Sequence, residues 1–189
     1  YLGSLIFLAI ISEIPFDALI ANNGFVLEYS SQNVFFTLAL GLFAIIIIDG
    51  VNEKVKNIFL SKILQLAAVL VILVSSLQMS ADYGIVGVVL ILFIYYFEKM
   101  QAGLAKINKK FTSDKTKFVL AGIAVLIWLV SYDFLAGRVS ESFGFPAVVL
   151  IMLYNGQRGS YKIPKYVFYF FYPVHLIVLC LIRKALVGY

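Results

Sequence analysis

The chain has 189 residues, of which 62% are hydrophobic and only 13% are charged, with a mean hydropathy of +0.99. Soluble domains are about half apolar and about a quarter charged, so this composition excludes a water-soluble globule and predicts an integral membrane protein. The net charge of +5 resides in short stretches between apolar runs, a pattern typical of membrane topology that does not indicate nucleic-acid binding.

Seven apolar segments follow one another, most of them near the roughly 20 residues that a helix needs to cross a bilayer core of about 30 Å. They are residues 1–20, 33–48, 58–77, 83–97, 118–135, 143–154 and 166–187. Backbone groups that face lipid must be bonded within their own segment, which predicts helices despite the content of Ile and Val. No repeat or soluble segment interrupts the series. We therefore expect one domain over residues 1–189, an all-α polytopic transmembrane helical bundle.

The distribution of lysine and arginine predicts the orientation of the segments, because these residues are retained on the cytoplasmic side of a membrane. If the connection at 21–32 is external, twelve of the fifteen basic residues lie inside, and Arg138, Arg183 and Lys184 are the exceptions. The longest connection, at 98–117, is then a basic cytoplasmic loop.

The sixth segment leaves two topologies open. Its twelve residues rise about 18 Å at about 1.5 Å each, which is less than the bilayer core. We expect it to cross, with local thinning of the bilayer. The alternative, a re-entrant hairpin, would reverse the last segment and leave eleven basic residues inside rather than twelve, so charge counting does not decide between them.

Glu13 and Asp17 stand one helical turn apart in the run Ser-Glu-Ile-Pro-Phe-Asp, near the end of the first segment. Ionisable groups within a span usually face the bundle interior or a wet cavity, so each marks a candidate site. Like charges at this spacing repel, and a cation, a shared proton or water must relieve them. A solvated outer helix end is the competing interpretation. Oxygen ligands from other segments are not evident, so no metal is expected.

Gln32 and Asn33 precede the second segment, and Asp82 and Tyr83 precede the fourth. Asn and Asp are typical helix N-caps, whose side-chain oxygens accept hydrogen bonds from the first free amides, and capping by itself explains each pair. On the predicted topology, however, both pairs lie at the same outer membrane face. We therefore predict one substrate-binding cavity, which these residues line together with the two carboxylates of the first segment.

His175 is the one histidine of the chain and lies inside the seventh segment, in the run Phe-Tyr-Pro-Val-His. Tyr172 lies on the same helical face, and Pro173 leaves the carbonyl of Tyr169 without its helical partner. An imidazole can take a proton from an amine or hydroxyl near neutral pH, which makes His175 the candidate catalytic base, with Tyr172 beside it. A packed histidine bonded to another helix is the alternative.

The run Tyr-Asn-Gly-Gln-Arg-Gly follows the sixth segment and predicts a tight turn through Asn155 and Gly156. Successive amides in such a turn can form an anion-binding nest beside Arg158, and Lys162 adds positive charge nearby. A plain turn that carries a cytoplasmic arginine explains the same residues.

Five runs occur in an order that resembles the TraX family, membrane proteins named for N-terminal acetylation of F-type conjugative pilin. They are Ser-Glu-Ile-Pro-Phe-Asp, Gln-Asn-Val-Phe-Phe-Thr, Ala-Asp-Tyr-Gly, Tyr-Asn-Gly-Gln-Arg-Gly and Phe-Tyr-Pro-Val-His, spread over nearly the whole chain. Family members begin with a further helix that carries an acidic residue next to histidine. This chain starts after both, so we expect an N-terminal portion to precede Tyr1. The family is in turn similar to integral membrane acyltransferases that use cytoplasmic acyl-CoA.

The resemblance implies a multi-pass protein of the bacterial inner membrane, surrounded by membrane lipids, that transfers an acetyl group from acetyl-CoA. The acceptor would be a pilin N-terminus or another cell-surface group. His175 or an upstream histidine would be the base, with Tyr172, Gln32 or Asn33 donating to the oxyanion, and the basic turn after the sixth segment would bind the coenzyme. Two other functions fit the same residues: a small-molecule transporter, and a non-catalytic assembly factor for pili or fimbriae. The oligomeric state is not predicted.

Overall fold

The structure is a computed structural model that describes residues 1–20, 29–107, 119–123, 125–130, 145–153 and 164–187. The helices in this part of the chain are, in order, α1 Leu2–Ile20, α2 Val34–Lys54, α3 Ile58–Gln78, α4 Gly84–Ile107, α5 Val119–Val130, α6 Phe145–Leu153 and α7 Lys165–Val187. Five of the described helices, α1 to α4 and α7, are long and apolar enough to cross a membrane. The predicted all-α transmembrane bundle is thereby confirmed.

Two helices continue well past the apolar segments that predicted them. α2 extends to Lys54 rather than to residue 48, and α4 extends to Ile107, through the first part of the loop predicted at 98–117. An apolar run marks only the part of a helix that lies in lipid, whereas backbone hydrogen bonds carry the helix onward into water. Contacts one turn apart support this extension: the Lys99 ammonium donates to the Tyr95 hydroxyl and lies 4.4 Å from the centre of its ring. The prediction of a loop over residues 98–107 is therefore wrong.

The turn between α3 and α4 lies against the segment that precedes α2. Ser80 (φ +48°) and Gly84 (φ +44°) adopt the left-handed backbone conformation, which glycine reaches without strain. Between them the turn pairs with Gln32, whose amide donates to the Ser80 carbonyl at 3.0 Å and whose carbonyl accepts from the Asp82 amide at 2.8 Å. Two connections that are distant in sequence thus lie together, at the face that we predict to be external.

α1 packs against both α2 and α7 in the first of two compact units, which holds α1, α2, α3, α7 and the first turns of α4. α1 and α7 run parallel, because their first turns face a common cleft and later residues also meet. The Cys180 thiol donates to the Pro15 carbonyl at 3.5 Å, and the Arg183 guanidinium donates to the Leu19 carbonyl. Arg183 therefore lies at the C-terminal end of α1, where the helix dipole favours positive charge.

The parallel direction of α1 and α7 bears on the sixth segment. Two parallel transmembrane helices require an odd number of crossings between them. α2, α3 and α4 supply three crossings, and α5 supplies a fourth if it crosses as predicted. A re-entrant sixth segment would then make α7 antiparallel to α1. The crossing by the sixth segment, of which α6 covers Phe145–Leu153, stays a prediction, and the observed direction agrees with it if α5 crosses as well.

The second compact unit holds the rest of α4 together with α5 and α6. Phe93 of α4 stacks on Phe97 and on Trp128 of α5, with 6.0 Å between ring centres in each pair. Gly122 allows α5 to approach α6 closely, because a Cβ at this position would overlap the side chain of Met152. The prediction of one domain over residues 1–189 stays a prediction.

Candidate functional site

Glu13 and Asp17 are buried in α1, which continues through Pro15 to Ile20. Glu13 is 7% exposed and Asp17 is 3% exposed. The negative charges of the two carboxylates repel each other. These values rule out the competing interpretation of a solvated helix end. A buried carboxylate needs a proton, a positive partner or hydrogen-bond donors, so the fold must supply one of these at this place.

Asn33 is the partner that the fold supplies to Glu13. The Asn33 side-chain amide donates to Glu13 Oε2 at 2.5 Å and to the Ala9 carbonyl at 2.8 Å, while the Asn33 backbone amide donates to the same carboxylate oxygen at 3.3 Å. Asn33 Oδ1 accepts from the Phe35 amide at 3.0 Å, which confirms Asn33 as the N-cap of α2. Both N–H groups of the side chain are engaged. Asn33 therefore links α1 to α2 and has no donor left for an oxyanion.

Three buried oxygen atoms beside this link have no hydrogen-bond partner among the described residues: Ser12 Oγ, Glu13 Oε1 and Thr37 Oγ1. Hydroxyls in helices commonly donate to the carbonyl one turn back, as Ser75 does to the Val71 carbonyl at 2.9 Å. Ser12 and Thr37 do not. An unsatisfied buried polar atom costs about 1–3 kcal/mol, so these oxygens are prepared for water or for the polar groups of a ligand.

Sequence reasoning overlooked Ser12 and Thr37 as site residues. Both are almost completely buried, with exposed fractions of 0% and 2%. The sequence feature that could have identified Thr37 is its spacing from Asn33, because residues four apart lie on the same face of a helix. A hydroxyl in an apolar helix is not informative by itself, since Ser75 and Ser76 both bond to their own helix.

Gln32, Asp82 and Tyr83 lie on the outer rim of this region. Gln32 is buried beneath its backbone pairing with the α3–α4 turn, whereas Asp82 and Tyr83 are exposed. Although the Asp82 side chain is exposed, the protein packed around its carboxylate removes solvent and raises the pKa of Asp82 above its ordinary value. Asp82 and Tyr83 can therefore contact a group that approaches from the face that we predict to be external.

Tyr172 of α7 is the side chain at which the other predicted residues meet. Its ring packs edge-on against that of Phe35, with 4.9 Å between the ring centres. Its phenol oxygen faces the backbone amide of Val34, the first residue of α2, and the charges of Glu13 and Asp82 act on it. The start of α2 thus packs against Tyr172 of α7, and Glu13 of α1 and Asp82 of the α3–α4 turn are near enough for their charges to act on the phenol.

His175 lies three residues beyond Tyr172, with 5.1 Å between the two ring centres. Its Nδ1 atom is 3.2 Å from the Phe171 carbonyl oxygen. A carbonyl can only accept, so Nδ1 carries the hydrogen, and in the neutral ring Nε2 keeps its lone pair. His175 is half-buried at the edge of the face through which Leu176 and Cys180 pack towards α1. This arrangement leaves a proton acceptor beside Tyr172.

The residues predicted to bind the coenzyme lie outside the described residues: Asn155, Gly156, Arg158 and Lys162. Two other basic residues that are predicted to be cytoplasmic are exposed at the far end of α2 from Asn33: Lys54 is the last residue of α2, and Lys56 lies between α2 and α3. The described part of the site thus contains candidate base, phenol and carboxylate groups, and its phosphate-binding part stays a prediction.

Comparison with known proteins gives one family and one curated relative. A family model described as TraX protein matches residues 1–183. The chain is also similar to the probable fimbrial assembly protein FimC, serogroup H1, of Dichelobacter nodosus, with 29% identity over 194 residues. That alignment covers 95% of this chain and 70% of the relative. No solved structure matches the chain.

Proposed function

The chain belongs to the TraX family, and we propose that it is a membrane acetyltransferase. It moves an acetyl group from acetyl-CoA to an amine or hydroxyl of a cell-surface acceptor, such as a pilin N-terminus. The name of the fimbrial assembly relative supports a role in pilus or fimbria biogenesis at the bacterial inner membrane. The observation that carries the proposal is the half-buried His175 beside Tyr172, at the point where α1, α2 and α7 meet.

Direct transfer needs a base, an oxyanion donor and an acid for the leaving group. His175 Nε2 takes the proton of the attacking amine or hydroxyl as its nitrogen or oxygen bonds to the acetyl carbonyl carbon. The Tyr172 hydroxyl donates to the carbonyl oxygen, which becomes negatively charged. When the intermediate collapses, the carbon–sulfur bond breaks and the coenzyme A thiolate takes the proton from His175. Ser12, the serine beside Glu13, has no base bonded to its hydroxyl, so direct transfer is favoured over a covalent acyl-enzyme.

The buried carboxylate supports this chemistry from the acceptor side. The Asn33 side chain donates a hydrogen bond to Glu13 Oε2, so Oε1 is left to accept a hydrogen bond from the acceptor substrate or from an ordered water. Ser12 and Thr37 offer two further oxygens along α1 and α2. Asp82 and Tyr83 add negative charge and polar surface on the route from outside, and Asp17 adds a buried carboxylate one turn beyond Glu13. The acetyl-CoA phosphates would bind the sequence-predicted turn at residues 155–162.

The proposal is tested with purified protein in lipid vesicles and radiolabelled acetyl-CoA. Transfer of label to protein, glycan or lipid is expected, with a loss of about 10²–10⁴-fold in His175→Ala. Val178→Ala is the matched control, since Val178 is 47% exposed on the same helix. Near-normal transfer by a folded His175→Ala would make the histidine structural. If the unmodified protein transferred no label to any acceptor class, the acetyltransferase itself would be rejected.

Transport is the second candidate, and one observation favours it. Glu13 and Asp17 are buried carboxylates within a helix long enough to cross the membrane, and such groups often form proton or ion relays. Proton or solute flux that depends on Glu13 and proceeds without acetyl-CoA would support a transporter. A non-catalytic assembly factor would show neither flux nor transfer, and would instead bind a pilin or fimbrial subunit.

A further inference from the structure

α1 and α7 form an open cleft between their first turns. Its volume is about 450 Å³, within the range of small-molecule pockets. Gly3, Ser4 and Leu8 line it from α1, and Tyr169 and Phe170 line it from α7. The space beside Gly3 is open, because a Cβ at this position would meet no atom within 4 Å.

The cleft leads towards the proposed reaction centre. On α7, Tyr172 follows Tyr169 by three residues and therefore lies on the same helical face. On α1, Leu8 of the cleft is followed by Ala9, whose carbonyl accepts from the Asn33 side chain at 2.8 Å. One end of the cleft thus lies one helical turn from Tyr172 on α7 and next to Ala9 on α1. The other end lies at the starts of α1 and α7, which the predicted topology places towards the cytoplasm.

We propose that this cleft holds the pantetheine arm of acetyl-CoA, an inference that rests on the proposed acetyltransferase function. The arm is a narrow chain in which two amides alternate with methylene groups, and it must carry the thioester from the charged head of the coenzyme to the reaction centre. The lining is chiefly apolar and includes Leu8 and Phe170, which suits the methylene groups, and Ser4 and Tyr169 are lining residues with hydroxyl groups of the kind that bond amides.

Protection from thiol labelling tests this placement without measuring activity. Ser4→Cys is prepared with Cys180→Ala, which removes the one native thiol, and is treated with a maleimide in vesicles. Acetyl-CoA, which has no reactive thiol, should slow labelling at position 4. Adenosine 3′,5′-bisphosphate, which is the head without the arm, should not. Ser75→Cys on α3 is the control and should label at the same rate under all conditions.

Three outcomes would overturn the proposal. Equal labelling with and without acetyl-CoA, in vesicles that transfer acetyl groups, would mean that the arm runs elsewhere. Equal protection by the bisphosphate would trace the effect to the head of the coenzyme. Protection by palmitate alone would identify a lipid groove. If acetyl-CoA protected position 4 in a protein that transfers no acetyl group, the cleft would still be a coenzyme site, but the acetyltransferase function would be rejected. The labelling result and the transfer result therefore test the two proposals separately.

A blocked cleft provides the second test. Gly3→Trp fills the cleft, and Gly50→Trp on α2 is its matched control, because a Cβ at either glycine meets no atom within 4 Å. Gly3→Trp should lower kcat/KM for acetyl-CoA about tenfold or more, chiefly through KM, because uniform binding of the arm is lost. Gly50→Trp should leave both constants unchanged. A folded Gly3→Trp with an unchanged KM would contradict the proposal.

Discussion

α2 carries a polar cluster near each end, and the two clusters differ in whether their buried atoms are all bonded. The α1–α2 cluster comprises Ser12, Glu13, Asn33 and Thr37, and the α2–α3 cluster comprises Asn52, Ser61 and Gln65. In the α2–α3 cluster, Gln65 Nε2 donates to Asn52 Oδ1 at 2.7 Å and to Ser61 Oγ at 2.9 Å. Gln65 Oε1 accepts from the Lys62 ammonium at 3.3 Å. No buried side-chain atom described in this cluster lacks a partner.

The difference separates a structural network from a prepared site. A satisfied network holds two helices in register and offers nothing to a ligand. In the α1–α2 cluster, three buried oxygens without partners among the described residues cost about 1–3 kcal/mol each, and such a cost usually marks a role beyond packing. Both clusters contain amide and hydroxyl side chains, and the α1–α2 cluster also contains the carboxylate of Glu13.

The largest expected contrast concerns catalysis. Glu13→Gln should reduce acetyl transfer about 10²-fold, because it removes the charge while the new amide oxygen still accepts from Asn33. Gln65→Met, in the α2–α3 cluster, should leave transfer per folded molecule unchanged. Initial rates with labelled acetyl-CoA measure both. Equal losses in the two variants would show that the clusters are alike in function.

The next contrast concerns stability. Asn33→Ala should lower the free energy of unfolding by about 3 kcal/mol, of which the lost N-cap contributes about 1 kcal/mol and the unpaired Glu13 carboxylate the rest. Asn57 is the N-cap of α3, and its Oδ1 accepts from the Leu60 amide at 3.1 Å at an exposed site. Asn57→Ala should therefore lower the free energy of unfolding by only about 1 kcal/mol. Denaturant unfolding in micelles compares them. Similar losses would mean that the Asn33–Glu13 bond contributes little.

A smaller effect tests the unpaired hydroxyl itself. Thr37→Val keeps the methyl group that lies beside Gly87 and removes only a hydroxyl without a partner, so stability should stay level or rise by up to about 1 kcal/mol. Ser61→Ala removes a bonded hydroxyl and should cost about 1 kcal/mol. If Thr37→Val destabilised the protein as much as Ser61→Ala, the Thr37 hydroxyl would have a structural partner after all.

The smallest effect concerns pH at the rim. Burial raises the pKa of Asp82, so the folded state holds this proton more tightly than the unfolded state does. The stability that this group contributes is therefore complete below the ordinary Asp pKa of about 3.9 and is lost as pH rises through the folded value. Asp82→Asn should gain slightly in melting temperature over the unmodified protein between pH 4 and pH 7. A difference that does not change with pH would contradict this linkage.

The sequence by itself determined the class of fold and the position of its membrane segments. Lipid leaves the backbone no partner outside its own helix, so the length of an apolar run was a sufficient guide to the five helices α1 to α4 and α7. Apolar run length predicted ends for α2 and α4 that are too early, since the helices extend to Lys54 and Ile107. Helices continue into water, where hydropathy no longer marks them. Local chemistry also identified Asn33 as a cap and Tyr172 as the neighbour of His175, since both relations span only a few residues.

Only the tertiary structure decided which polar atoms are bonded across the fold. The Asn33–Glu13 link joins residues 20 apart, and the parallel packing of α1 and α7 rests on contacts more than 160 residues apart in the chain. It also distinguished Ser12 and Thr37, which lack partners among the described residues, from Ser75, which bonds to its own helix. Hydrogen-bond satisfaction depends on distances of a few ångströms between separate helices, and no local pattern along a chain specifies those distances.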